Sequence, residues 1–220
     1  SITSSVRANT TYGQSIVSYS GTGSAATFGH GLASAPTMVL VKKRSAVANW
    51  AVYHASLGNT NTAFLDLTNA ASDNSDWNDT TPTSSVVSIG AVDRVNGGGS
   101  STYIAYCFHD VANYSKFGSY SGNGSTTGPV ITTGFSTALL IAKRTDSTGN
   151  WFIWDSTRDT DGVFNTNIHP NSNAAEANSG SNFVTLSGTG FQLTGTGAET
   201  NESGGTYIYA AFADTREYAY

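Results

Sequence analysis

Ser18-Tyr19-Ser20-Gly21-Thr22-Gly23-Ser24 returns 101 residues later as Ser119-Tyr120-Ser121-Gly122-Asn123-Gly124-Ser125, and the reading of the whole chain follows from that pair. Self-similarity at a fixed period is the mark of a repeated structural unit. The same offset sets Asn49-Trp50-Ala51-Val52-Tyr53-His54 against Asn150-Trp151-Phe152-Ile153-Trp154-Asp155. A one-residue gap pairs Lys43-Arg44 with Lys143-Arg144. Near the end of each copy, Thr102-Tyr103-Ile104-Ala105-Tyr106 corresponds to Thr206-Tyr207-Ile208-Tyr209-Ala210, with the offset grown to 104. Duplication of a unit of roughly 100 residues is the simplest account. The expected division is an N-terminal arm at 1–12, a first repeat at 13–113 and a second at 114–220.

Inside each copy the apolar runs are short and bounded by Gly, Asn, Ser and Pro, which is the pattern of strands and turns. Strands are expected at 15–20, 37–44, 50–55, 63–67, 86–89 and 102–109. In the second copy they are expected at 118–121, 138–144, 151–156, 183–186, 191–193 and 206–213. Met38-Val39-Leu40-Val41 and Leu139-Leu140-Ile141-Ala142 are apolar at every position, as strands covered on both faces are. The expected fold is therefore all-β, two tandem and similar β-sandwich units of jelly-roll or lectin-like kind.

Composition agrees with this. Only 11% of the residues are charged, against about 25% in an ordinary globular domain, so Ser, Thr, Asn and Gly must cover the surface. Four Glu, four Lys and one Met leave little to build helices from. The formal charge of −5 and the lack of a basic stripe argue against nucleic acid as a partner. No apolar run approaches the 18 or so residues that span a bilayer, and Ser1–Tyr12 lacks the basic-then-apolar order of a signal peptide, so membrane insertion is not expected. The single cysteine, Cys107, lies in an apolar run and is expected to be buried.

Taken together, SYSGNGS at 119–125, KRTDSTGNWFIWDSTRD at 143–159 and SGGTYIYAAFAD at 203–214 resemble a duplicated β repeat of tailed-phage virion proteins, particularly those of marine phages. GHGLASAPTMVLVKKR at 29–44, NWAVYHASLG at 49–58 and STYIAYCFHDV at 101–111 carry the likeness through the first copy. The resemblance implies a virion location and a non-enzymatic tail-fibre or appendage module, forming a homo-oligomer or meeting other virion proteins. Its partner would be a host surface, such as a glycan, or a neighbouring subunit. A capsid or tail decoration protein and a polysaccharide-degrading enzyme are the alternatives. The resemblance brings no site residues with it.

Glycoside hydrolysis needs two carboxylates about 5 to 10 Å apart. The pairs Asp159 and Asp161, Asp73 and Asp76, and Glu199 and Glu202 all sit in stretches where acidic residues organise turns. His30, His54, His109 and His169 show no metal-ligand spacing, and the acidic loops lack the closing Glu of a twelve-residue calcium loop. No catalytic residue, metal site or cofactor is expected. Trp50, Trp151 and Trp154 fit duplicated core positions, whereas Trp77 stands alone in an acidic loop with no counterpart. The polar segments 68–85 and 158–181 are thus the expected contact regions, with Trp77, Asp73, Asp76, Asp159 and Asp161 as candidate binding residues.

Overall fold

The computed structural model describes residues 1–178 and 180–214. Ser179, in the second long loop, and 215–220, assigned above to the second repeat, lie outside the described residues. The chain divides into two compact units, Ser1–Asp110 and the residues from Val111 onward.

The first unit contains β1 (Ser4–Asn9), β2 (Gln14–Ser20), β3 (Ala26–Gly29), β4 (Met38–Lys43), β5 (Ala51–His54), β6 (Asn61–Phe64), β7 (Ser72–Asp73), β8 (Val86–Ile89), the four-residue helix α1 (Asp93–Asn96) and β9 (Thr102–Phe108). Seven strands form one antiparallel sheet in the order β1-β2-β9-β4-β5-β6-β7, and β3 pairs with β8 separately. Side chains alternate across a strand, and the inward set is Val17 and Tyr19, Val39 and Val41, Ala51 and Tyr53, and Tyr103, Ala105 and Cys107. These pack with Phe28, Val87 and Ile89 of the small sheet and with Val95 of the helix. Cys107 is fully buried, as its neighbours predict.

In the second unit are β10 (Ser115–Ser121), β11 (Val130–Thr132), β12 (Thr137–Arg144), β13 (Trp151–Asp155), β14 (Val163–Phe164), β15 (Thr166–Asn167), β16 (Ala177–Asn178), β17 (Val184–Ser187), β18 (Gly190–Leu193), α2 (Ala198–Asn201) and β19 (Thr206–Ala213). One sheet runs β10-β19-β12-β13, a second runs β11-β18-β17-β14, and β15 pairs with β16. Tyr120, Leu140, Ala142, Trp154, Tyr207, Tyr209 and Ala211 of the first sheet pack against Ile131, Phe164, Val184, Phe191 and Leu193 of the second. All sheets are antiparallel and the two helices have one turn each, so the chain is all-β.

Three differences from the sequence expectation have physical reasons. Residues 4–9 are not a free arm: they pair along their whole length with β2, from Ser4 opposite Tyr19 to Asn9 opposite Gln14. The polar run SSVRAN hides this strand because its side chains are mostly exposed. The gap placed at Lys43-Arg44 is also absent. Val41 faces Ala51 and Ala105, and Ala142 faces Phe152 and Tyr209, so the register holds at 101 and Lys43 corresponds to Arg144. The division between units lies at Asp110, three residues before the expected one.

The repeated motif builds the same corner in both units. Tyr19 stacks on Tyr103 with ring centroids 5.1 Å apart, and Tyr120 stacks on Tyr207 at 4.8 Å. Tyr19 donates to Val95 O at 2.7 Å and Tyr120 to Thr200 O at 2.9 Å, in α1 and α2. The Tyr103 hydroxyl donates to Asp93 O and accepts from Gly97 N, while Tyr207 donates to Ala198 O and accepts from Glu202 N. Asn96 accepts from Thr22 N and donates to Ser24 O; Asn201 accepts from Asn123 N and donates to Ser125 O. A Cβ at Gly21 would stand 2.1 Å from Gly97 O, and one at Gly122 would stand 2.3 Å from Glu202 O, so the motif needs both glycines. The corresponding cations pin the same helices. Lys43 Nζ reaches both carboxylate oxygens of Asp93 at 2.7 and 2.8 Å, and Arg144 binds Ala198 O, Glu202 and Asp146.

Candidate functional site

The five candidate residues do not come together. Trp77 is 0% exposed: its loop turns inward through a 3-10 turn, Ser75–Trp77, and the indole enters the first unit's core with its ring edge on Tyr53, centroids 5.6 Å apart. It is a core residue and cannot be a surface contact. Asp76 is equally buried, and its Oδ2 accepts from Arg94 Nε at 3.0 Å and Nη2 at 2.8 Å. Arg94 also binds Asn74 Oδ1 and lies over the Phe64 ring, so the acidic loop is clamped to the body of the unit. Asp73 is exposed in β7.

Asp159 is nearly buried and accepts from Asn165 N and Thr166 N at 3.0 Å each and from the Thr166 hydroxyl. Exposed Asp161 accepts from Val163 N, closing a turn. These carboxylates organise backbone, which is the turn chemistry their composition predicts. Glu199 accepts from Asn150 N and Nδ2, and Glu202 binds Arg144. Among the described residues no group of three or more His, Cys, Asp or Glu side chains is placed to hold a metal ion. His30 is buried with Nδ1 accepting from Leu32 N and Nε2 facing Thr83 O, and burial lowers its pKa from the usual 6.5.

A different surface gathers chemistry. Alternation places the even-numbered residues of β2, β9 and β4 on the outer face of the seven-stranded sheet. Register lines them up in rows: Asn9, Gln14 and Phe108; then Arg7, Ile16, Tyr106 and Leu40; then Ser5, Ser18, Ile104 and Lys42. Rows two residues apart are about 7 Å from one another, so the three span roughly 13 Å. A groove of about 290 Å³ lies over this face, lined by Arg7, Asn9, Gln14, Ile16, Tyr106 and Phe108 among others. A second hollow of about 400 Å³ shares Arg7 and Ile16 and continues to Ser5 and Ser18. Ile16 is 46% exposed and puts an apolar side chain within this face. Trp50 stacks on Tyr106 with centroids 6.2 Å apart, and Lys42 Nζ sits 5.9 Å over the Trp50 ring while donating to Ala48 O. Trp50 is therefore an outer-face residue, unlike the core tryptophans Trp77 and Trp154.

The second unit does not repeat this surface. Register sets Ala210 where the first unit has Tyr106, and 6%-exposed Phe117 where it has Ile16. Trp151 and Lys143, the counterparts of Trp50 and Lys42, are each 1% exposed. Burial pulls the Lys143 ammonium down to about 8. Both units share the inward corner, and among the described residues the exposed Ile16–Tyr106 row of the first unit is replaced in the second by Phe117 and Ala210.

The model of one family, a domain of unknown function (DUF7483), matches residues 1–216. The chain belongs to this family. The DUF7483 match begins before β1 and runs past β19, so both units and the groove fall within the family domain. No curated protein and no solved structure matches the chain. No helix among the described residues of this DUF7483 domain is long and apolar enough to cross a membrane. Sequence reasoning missed the groove because its residues lie in three strands, up to 101 positions apart. The signal that existed was the unequal pair Tyr106 and Ala210 within otherwise matching final strands.

Proposed function

We propose that this chain is a non-enzymatic virion protein, a tail-fibre or appendage module made by duplication of one β-sandwich unit, that meets a host surface or a neighbouring subunit. The duplication is supported by the corner described above, in which two stacked tyrosines, an asparagine and a one-turn helix repeat bond for bond. The resemblance of both copies to phage virion repeats supports the location. The observation that carries the contact role is the exposed groove over β1, β2 and β9. Function on a shared scaffold resides where copies differ, and this is the surface by which the first unit differs from the second.

The first long loop has its tryptophan in the core, so the contact surface is moved from that loop to the sheet. A decoration or assembly role is the second reading, favoured by β1: it is the outermost strand of its sheet and presents one open ladder of backbone groups. Light scattering joined to a structure of the native assembly separates the two. An oligomer that leaves the groove open to solvent is the expected result, and a lattice that buries both groove and β1 would make this an assembly protein. Release of new reducing ends from host polysaccharide would overturn the non-enzymatic reading.

A further inference from the structure

We propose that the outer groove of the first unit binds an anionic saccharide, with Tyr106 supplying the stacking face and Arg7 the anion-binding group. This rests on the reading of the chain as a non-enzymatic binding module and names its ligand class. Sugar rings have two weakly polar C–H faces and an equator of hydroxyls, and they need an apolar platform ringed by planar donors and acceptors. The groove has that distribution. Ile16, Tyr106 and Phe108 supply its apolar lining, and Asn9, Gln14 and Arg7 supply polar groups beside them. A concave, largely apolar site with a few polar groups fixing orientation is the usual form of a small-ligand site.

The charge selects within that class. Arg7 is exposed and carries no ion pair among the described residues, in a chain whose formal charge is −5. A guanidinium offers a fork of donors that matches a carboxylate or sulfate in two parallel bonds. Lys42, beside Trp50, adds a second positive group further along the same face. A second copy of the chain is a poorer occupant. A two-fold contact through the groove would bring two Arg7 guanidinium groups together, and like charges across an interface are costly. Two cations are also too few to follow a nucleic-acid backbone.

The test is titration of the full chain at low and moderate salt, followed by NMR chemical shifts. The probes are a galacturonic acid trisaccharide, the neutral galactose trisaccharide, a panel of sialylated and sulfated glycans, and single-stranded DNA. Expected is saturable binding of at least one acidic glycan, weakened by salt, with shifts at Ile16, Tyr106 and Phe108. Arg7→Gln should weaken that binding about tenfold or more while leaving the neutral sugar unaffected, since a bond to a charged group is at stake. Tyr106→Ala should weaken both; Arg7→Gln should keep the wild-type melting temperature, and Tyr106→Ala, which gives up its stacking on Trp50, is titrated well below its own melting temperature. Absence of binding by every acidic glycan, binding that survives Arg7→Gln, or preference for single-stranded DNA would overturn the proposal. Failure here with an open groove in the native oligomer leaves the binding-module reading standing, whereas glycan cleavage would remove that reading as well.

Discussion

Tyr103 and Tyr207 each satisfy two backbone groups at the end of a one-turn helix, donating to one carbonyl and accepting from one amide. A four-residue helix cannot satisfy its own ends, so these hydroxyls stand in for the missing turns. Tyr103→Phe and Tyr207→Phe leave both groups without that partner, and each should cost about 1–3 kcal/mol in denaturant unfolding. A loss below about 0.5 kcal/mol in either variant would mean that water replaces the hydroxyl. Cys107 gives a second residue-scale expectation. It is fully buried, and burial pushes its thiol up to about 12, so it should resist maleimide at pH 8 in the native chain and react once unfolded. The motif containing Tyr19 and Tyr120 was legible as a repeat, and its apolar neighbours placed the strand. Its bonding role was not legible, because the helix carbonyls it reaches lie 76 and 80 residues further along the chain.

The loop carrying Trp77 is an element that composition misdescribes. It is polar almost throughout, yet its one large apolar side chain closes the core beside Tyr53 and Ile89. Trp77→Ala should therefore cost about 3–5 kcal/mol, whereas Asp73→Ala, just before the same turn and exposed, should stay within about 0.5 kcal/mol. Equal effects in a urea titration would contradict the inward loop. Strands rich in aromatic and β-branched residues, such as β4, β9, β12 and β19, were found from sequence to within a residue or so. The ones missed, β1, β3, β11 and the two-residue pairs, are short or polar and owe their pairing to a neighbour, so nothing local announces them. The groove shares this fate: β1 supplies Arg7, and the register that sets Arg7 beside Ile16 and Tyr106 exists only once the sheet has formed.

Across the whole molecule the two units keep the inward corner and differ in their outward chemistry, and their charges should be read out by pH. At the acid end Arg144 holds the Asp146 carboxyl down to about 2, from an ordinary 3.8. That stabilisation is complete above the unfolded value and is lost as pH falls from about 3.8 through about 2. His30, held below 6.5 by burial, adds loss of the same sign as pH drops under that value. The alkaline limb runs the other way. Lys143 titrates near 8 when folded and near 10.5 when unfolded, because the residue is 1% exposed on the sheet's outer face and burial disfavours its charge. Between those values the unfolded chain binds the extra proton, so Lys143 contributes stability that rises with pH, opposed above about pH 9 by the Cys107 thiol that folding holds protonated. Lys143→Met removes the strained charge and keeps the aliphatic stem. It should raise stability at pH 7 by on the order of 1 kcal/mol, and this advantage over wild type should shrink between pH 8 and 10. The corresponding Lys42→Met, at the half-exposed site beside Trp50, should do neither. A gap between wild type and Lys143→Met that does not narrow over that range would show that the Lys143 ammonium is favoured where it lies, and the difference between the two outer faces would then need another cause.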